Sequence, residues 1–167
     1  MPLAVSATFG IAMAETVVEH PNRAKAASKL VRALVIVVLL ISAALVAIIT
    51  FGGWSASEGA RPLQVVFVVL YLVLAYFVAR WKRGVLPIIA ALAILLLIFG
   101  AVAAPAWFDR DKPGFTSPAL DENILGLLCA LLVPIQAALI VFSMQGFRQA
   151  WNVEVERPRD GAEPAAA

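Results

Sequence analysis

The chain has 167 residues, of which 62% are hydrophobic and only 14% are charged, and its mean hydropathy is +0.92. This composition lies outside the range of soluble globular domains and is typical of integral membrane proteins. The formal net charge of +2 is too small, and the basic residues are too dispersed, for a nucleic-acid-binding surface.

Residues 1–29 precede the first long apolar segment and are expected to lie at the cytoplasmic surface of the membrane. Ala12-Met13-Ala14 has the spacing of a signal-peptidase site, but no Lys or Arg occurs before Arg23. A cleaved signal peptide, which needs a positive start, is therefore the less favoured alternative. The other is an interfacial amphipathic turn, indicated by three apolar residues at helical spacing: Phe9, Met13 and Val17.

Four apolar stretches contain no Asp, Glu, Lys, Arg or His: 33–51, 63–79, 85–108 and 124–147. Each is close to the ~20 residues that a helix needs to cross the hydrocarbon of a bilayer. They predict membrane spans at about 33–52, 62–80, 85–108 and 121–147. The predicted fold is an all-α polytopic membrane protein, in which residues 30–151 form an antiparallel bundle of four transmembrane helices.

Glycine and proline predict the helix ends. Gly52 and Gly53 should end the first helix, and Gly84 should end the second. Pro62 and Pro87 fit the first turns of the second and third helices, where proline is tolerated. Ser117 followed by Pro118 would allow the fourth helix to begin as early as residue 118.

Basic residues predict the orientation of the spans. If the four spans alternate, ten of the thirteen Lys and Arg residues lie on the side of the two termini. Short loops rich in Lys and Arg stay in the cytoplasm, so both termini should be cytoplasmic, with residues 152–167 as a flexible tail. Seven of these residues are expected to act as topology signals and contacts to anionic headgroups: Arg23, Lys25, Lys29, Arg32, Arg80, Lys82 and Arg83. The excess of Arg over Lys and the abundant alanine favour a bacterial plasma membrane.

Four tryptophans lie at the edges of the apolar stretches, alternately on the two sides of the membrane: Trp54, Trp81, Trp107 and Trp151. Tryptophan is enriched at the depth of the lipid headgroups. They are predicted to be interfacial anchors.

Pro134 and Gln136 lie in the middle of the fourth span. The proline removes one backbone donor and is expected to kink the helix. The glutamine amide needs hydrogen-bond partners in hydrocarbon, so it should face another helix, a partner subunit or buried water. The favoured interpretation is packing between helices, and the alternative is a hinge beside a polar ligand or pore.

Small residues at four-residue spacing predict faces where helices approach closely: Gly100 with Ala104, and Gly126 with Ala130. The second span, by contrast, is bulky over residues 65–74 and is expected to face lipid or a large partner surface.

Motifs for catalysis, phosphate binding or cofactor binding do not occur in the sequence, so we predict no catalytic residues, no metal and no cofactor. A calcium site at Asp109, Asp111 and Asp121 is disfavoured because Arg110 and Lys112 lie between them.

The sequence favours a non-catalytic accessory or assembly subunit of a larger membrane complex, because helix faces drive association in lipid. Its expected partners are the lipid bilayer and either other membrane subunits or further copies of itself. The alternative is a small oligomeric transporter or channel with a neutral polar pathway near Gln136. A membrane enzyme or sensor is the third and least favoured class.

Overall fold

The computed structural model of the chain describes residues 16–110 and 115–158. Within these residues lie five α-helices and two short β-strands. In chain order they are β1 (Thr16–Glu19), α1 (Pro21–Ala24), α2 (Ala26–Gly52), α3 (Arg61–Ala79), α4 (Leu86–Phe108), α5 (Glu122–Arg148) and β2 (Val155–Pro158). Helices α2 to α5 are long and apolar enough to cross a membrane, which confirms the four predicted helices.

The helix ends follow the local sequence at most positions. Gly53 caps α2 and donates its N–H to the Ile49 carbonyl at 2.9 Å. Helix α5 begins later than Ser117 would allow, because the Asp121 carboxylate accepts the Asn123 N–H at 2.8 Å and forms the N-cap. The expected Ser117 cap is therefore wrong. The helix then continues without a break through Pro134.

Helix α3 ends five residues before Gly84, so the prediction that this glycine terminates it is wrong. Two hydrogen bonds close the end: Trp81 N–H to the Val78 carbonyl at 2.9 Å, and Lys82 N–H to the Phe77 carbonyl at 3.0 Å. They form a Schellman motif, whose left-handed position is usually glycine. Trp81 occupies it with a φ of 60°.

The four long helices enclose one continuous apolar core. Helix α2 packs against α3 and α5, and α4 packs against α5, whereas α3 and α4 approach each other at only a few residues. At one end the α2–α3 and α4–α5 connections meet, where Leu120 N–H donates to the Gly52 carbonyl at 3.0 Å. This end is called the loop end.

The opposite end, called the terminal end, carries a small antiparallel ribbon of β1 and β2. Its register pairs Thr16 with Pro158 and Glu19 with Val155. The flexible tail predicted from residue 152 is thus wrong for Val155–Pro158, and the helical turn expected at Val17 is a strand. These two short segments can pair because an even number of spans returns the chain to the end of the bundle where it began. Phe9, Met13 and residues 159–167 lie outside the described part of the chain.

Candidate functional site

A buried polar triad joins three helices in the middle of the bundle. The Gln136 side chain on α5 accepts a hydrogen bond at Oε1 from the Tyr71 hydroxyl of α3, at 2.9 Å. Its Nε2 donates to Ser42 Oγ of α2, also at 2.9 Å. All three residues are fully buried, at 0% exposure.

The triad uses neutral side chains to satisfy the Gln136 amide at a fully buried position. Each hydrogen bond of this kind contributes ~0.6 kcal/mol, and at most ~2 kcal/mol, to helix association in a membrane. One glutamine therefore fixes the rotation of α5 against both α2 and α3. Ser42 and Tyr71 were not predicted, although they are polar groups inside otherwise apolar spans and could have been matched to Gln136 on that basis.

Pro134 lies on α5 but is exposed, on a different face from Gln136. It contributes its ring to the outer surface of the bundle, so it does not pack between this chain's own helices. Side chains two positions apart on an α-helix point about 200° from each other around the helix axis. Pro134 and Gln136 therefore do not share a face.

The α4–α5 interface is where small residues bring two backbones together. A Cβ added to Gly100 would lie 3.0 Å from the Cys129 carbonyl oxygen, so any other residue would push the two backbones apart by a few tenths of an ångström. Ala104, one turn further, is also buried. On α5, a Cβ at Gly126 would lie 2.8 Å from Cε1 of Phe108, and Ala130 is half-buried.

An apolar cavity of about 310 Å³ lies between the four helices, in the half of the bundle nearer the loop end. Its floor is made of buried side chains from α2 and α5, including Val46, Cys129 and Leu132. Its mouth opens between α3 and α4 and is lined by exposed residues, of which Val102 is 68% exposed. The few contacts between α3 and α4 explain why the mouth remains open there.

Gln64 is the polar residue of the cavity lining. Its side chain is half-buried, and its Oε1 atom is enclosed without a hydrogen-bond partner among the described residues. Gln64 lies three residues after Arg61, which begins α3, so it is ~5 Å from the helix end and near the predicted membrane interface. An enclosed acceptor of this kind costs about 1–3 kcal/mol unless a donor reaches it. Gln64 was not predicted as a site residue, because a glutamine near a span end is ordinarily solvated.

Two of the four tryptophans are not interfacial anchors. Trp151 is 0% exposed, and Trp107 is 9% exposed with its ring against Gly53. Their burial within protein contradicts the prediction that they face headgroups. Trp54, at 44% exposure, remains available to the interface, and Trp81 is half-buried.

Trp151 closes the terminal end of the bundle. Its ring meets the Trp81 ring edge-to-face with centroids 5.4 Å apart, and it packs over Gly146. Its carbonyl accepts a hydrogen bond from Arg23 Nε at 3.1 Å. The Arg32 guanidinium lies 4.2 Å above the Trp81 ring, a distance typical of a cation–π contact.

Three of the seven predicted headgroup contacts bond to backbone carbonyls at the terminal end. Arg32 donates to the Ala79 carbonyl at 3.4 Å, and Arg83 donates to the Phe147 carbonyl at 2.7 Å. These two carbonyls are among those that a helix end leaves without partners, whereas Arg23 donates to Trp151, beyond the end of α5. The remaining four are exposed: Lys25, Lys29, Arg80 and Lys82.

Across the described residues, no group of three His, Cys, Asp or Glu side chains is arranged to hold a metal ion. Asp111 lies outside those residues. Comparison with protein-family models, curated proteins and solved structures finds no match to this chain.

Proposed function

We propose that this chain is a non-catalytic integral membrane protein that acts as an accessory or assembly subunit of a larger membrane complex. The observation that carries the proposal is the enclosure of Gln136. Its amide is satisfied at both ends inside the chain, so the central polar contacts hold the chain's own helices together. A partner would then recognise the chain by the shape of its outer helix faces, since the central polar groups are already used.

Helix α3 offers the best partner surface. Four exposed residues follow one another along one side at spacings of three and four, and we call them the α3 stripe: Val66, Val69, Val73 and Tyr76. Their exposures range from 44% to 59%. Valine has one strongly preferred χ1 rotamer in a helix, so a valine surface loses little conformational entropy when a partner packs on it.

The alternative of a transporter or channel with a pathway at Gln136 has weaker support. The glutamine is 0% exposed, and a pathway through it would require both hydrogen bonds of the triad to open. A helix-packing role for Gln136 requires no such rearrangement.

The proposed setting is the plasma membrane of a bacterium, with the four helices as an antiparallel bundle and both termini in the cytoplasm. Support comes from the terminal end, which carries Arg23, Arg32 and Arg83 together with the exposed Lys25, Lys29, Arg80 and Lys82. Basic residues near the ends of spans favour the cytoplasmic side.

Replacement of Val73 by tryptophan should remove the partner. The wild-type protein, extracted from its native membrane in a mild detergent, is expected to co-purify with another membrane protein at a fixed stoichiometry. Val73→Trp places a bulky ring in the α3 stripe and should lower the amount of that protein at least about tenfold, which corresponds to 1.4 kcal/mol of binding free energy.

Ile98→Trp is the matched control, because Ile98 is 49% exposed on α4 and lies outside the stripe. This variant should retain the partner. A wild-type protein that purifies as a lone monomer would contradict the proposal, and so would equal partner loss in both variants. Purification as a stable complex with only its own copies would replace the accessory role by self-association.

A further inference from the structure

We propose that the apolar cavity binds one acyl chain of a membrane phospholipid whose headgroup donates a hydrogen bond to Gln64. The proposal is independent of the partner subunit, because it concerns a site formed within a single chain. It rests on the direction in which the cavity opens, its width, and the enclosed Gln64 Oε1 atom.

The cavity opens sideways, between membrane-spanning segments. Along α4 its lining extends from Leu96 to Ala106, a length of ~15 Å. Its mouth therefore faces the hydrocarbon of the bilayer rather than water. The molecules that meet this opening are lipids and the helices of other membrane proteins.

The cavity is wide enough for a lipid acyl chain but too narrow for a helix of another protein. A volume of about 310 Å³ spread over ~15 Å leaves a cross-section on the order of 20 Å². An α-helix with side chains is ~10 Å across and needs ~80 Å², so it cannot enter between α3 and α4. A hydrocarbon chain one carbon wide can reach the floor at Cys129 and Leu132.

The Gln64 Oε1 acceptor favours a lipid whose headgroup can donate a hydrogen bond. Gln64 Oε1 has no donor among the described residues and almost no accessible surface, so the amide must turn toward the cavity for a headgroup to reach it. The place of Gln64 near the end of α3 puts it at the depth of a lipid headgroup when the acyl chain lies in the cavity. A headgroup with an ammonium N–H or a hydroxyl supplies that donor. A trimethylated choline headgroup has none, and a quinone ring offers acceptors only.

Photolabelling of the full-length protein in nanodiscs tests the site. The probe is phosphatidylethanolamine with a diazirine near the middle of one acyl chain, and labelled residues are located by mass spectrometry. We expect labelling at Cys129 and Leu132, each only 3% exposed, in addition to lipid-facing residues such as Ile98. Lipids on the outside of the bundle cannot reach the two floor residues, so absence of label there would overturn the proposal.

Two variants close the cavity and one serves as a control. Ala103→Phe fills it and Val102→Trp covers its mouth, and both should lower labelling of the floor at least about tenfold while leaving Ile98 labelled. Val102 is already exposed, so its replacement keeps the test valid if Ala103→Phe fails to fold. Ala101→Phe, at an exposed position of α4 outside the lining, should leave floor labelling unchanged. Equal floor labelling in all of these proteins would refute the site.

The headgroup assignment has its own comparison. A phosphatidylcholine probe with the same diazirine chain should label the floor about two- to tenfold less than phosphatidylethanolamine, as expected for one lost hydrogen bond. Gln64→Leu should abolish this difference. If the two probes label the wild-type floor equally, the donor role of the headgroup is refuted.

Discussion

Replacement of Trp151 by alanine should destabilise the fold by about 3–5 kcal/mol, the range for truncating a fully buried tryptophan. The ring is completely buried between Trp81 and Gly146, and the smaller side chain would leave a cavity at the terminal end. It would also remove the edge-to-face contact with the Trp81 ring. The free energy of unfolding in mixed detergent micelles measures the effect.

Trp54→Ala provides the control, since Trp54 is 44% exposed and lies at the loop end. We expect it to cost less than about 1 kcal/mol in the same measurement, as at exposed positions generally. Equal losses for the two tryptophans would mean that Trp151 is an interfacial anchor after all, and that the terminal end is not closed as described.

Replacement of Gln136 by leucine should cost about 1–3 kcal/mol. It breaks two hydrogen bonds, each contributing ~0.6 to ~1.7 kcal/mol in membranes, and leaves the Tyr71 and Ser42 hydroxyls without this partner. Unfolding in mixed micelles again measures the loss. Gln145→Leu, an exposed glutamine on the same helix, should stay within about 0.5 kcal/mol of the wild type.

A double-mutant cycle isolates the Tyr71–Gln136 bond from other effects of the substitution. Tyr71→Phe in the Gln136→Leu background should cause little further loss of stability, because the Tyr71–Gln136 hydrogen bond is already absent. Fully additive losses would show that the two side chains do not interact, and a neutral Gln136→Leu variant would remove the triad from the account.

The four long helices were predictable from the sequence because a helix that crosses hydrocarbon must be apolar over some twenty consecutive residues. The hydrogen-bond partners of Gln136 could not be predicted from the sequence. Any of several neighbouring helices could have satisfied its amide, and which one does depends on how α2 and α3 are rotated about their axes. That rotation is set by packing among all four helices, which a hydropathy pattern does not encode.

The predictions for the terminal end were wrong for a different reason. A tryptophan at a span edge is usually an anchor, but Trp81 and Trp151 are 70 positions apart in the sequence and meet only in the folded chain. The same holds for β1 and β2, each of which is only four residues long and pairs with a segment far away in the sequence. The place of Gln64 in the cavity lining likewise follows from the gap between α3 and α4, and no single segment predicts that gap.

We propose that the chain crosses a membrane four times with its terminal end in the cytoplasm. Two glycines give a matched test, because a Cβ added at Gly59 or Gly84 would meet nothing within 4 Å. Single-cysteine variants Gly59→Cys and Gly84→Cys, made in a Cys129→Ala background, are treated in intact cells with a membrane-impermeant maleimide. We predict that only Gly59→Cys is labelled before lysis and that both are labelled afterwards. Labelling of both in intact cells, or of Gly84→Cys alone, would contradict the account.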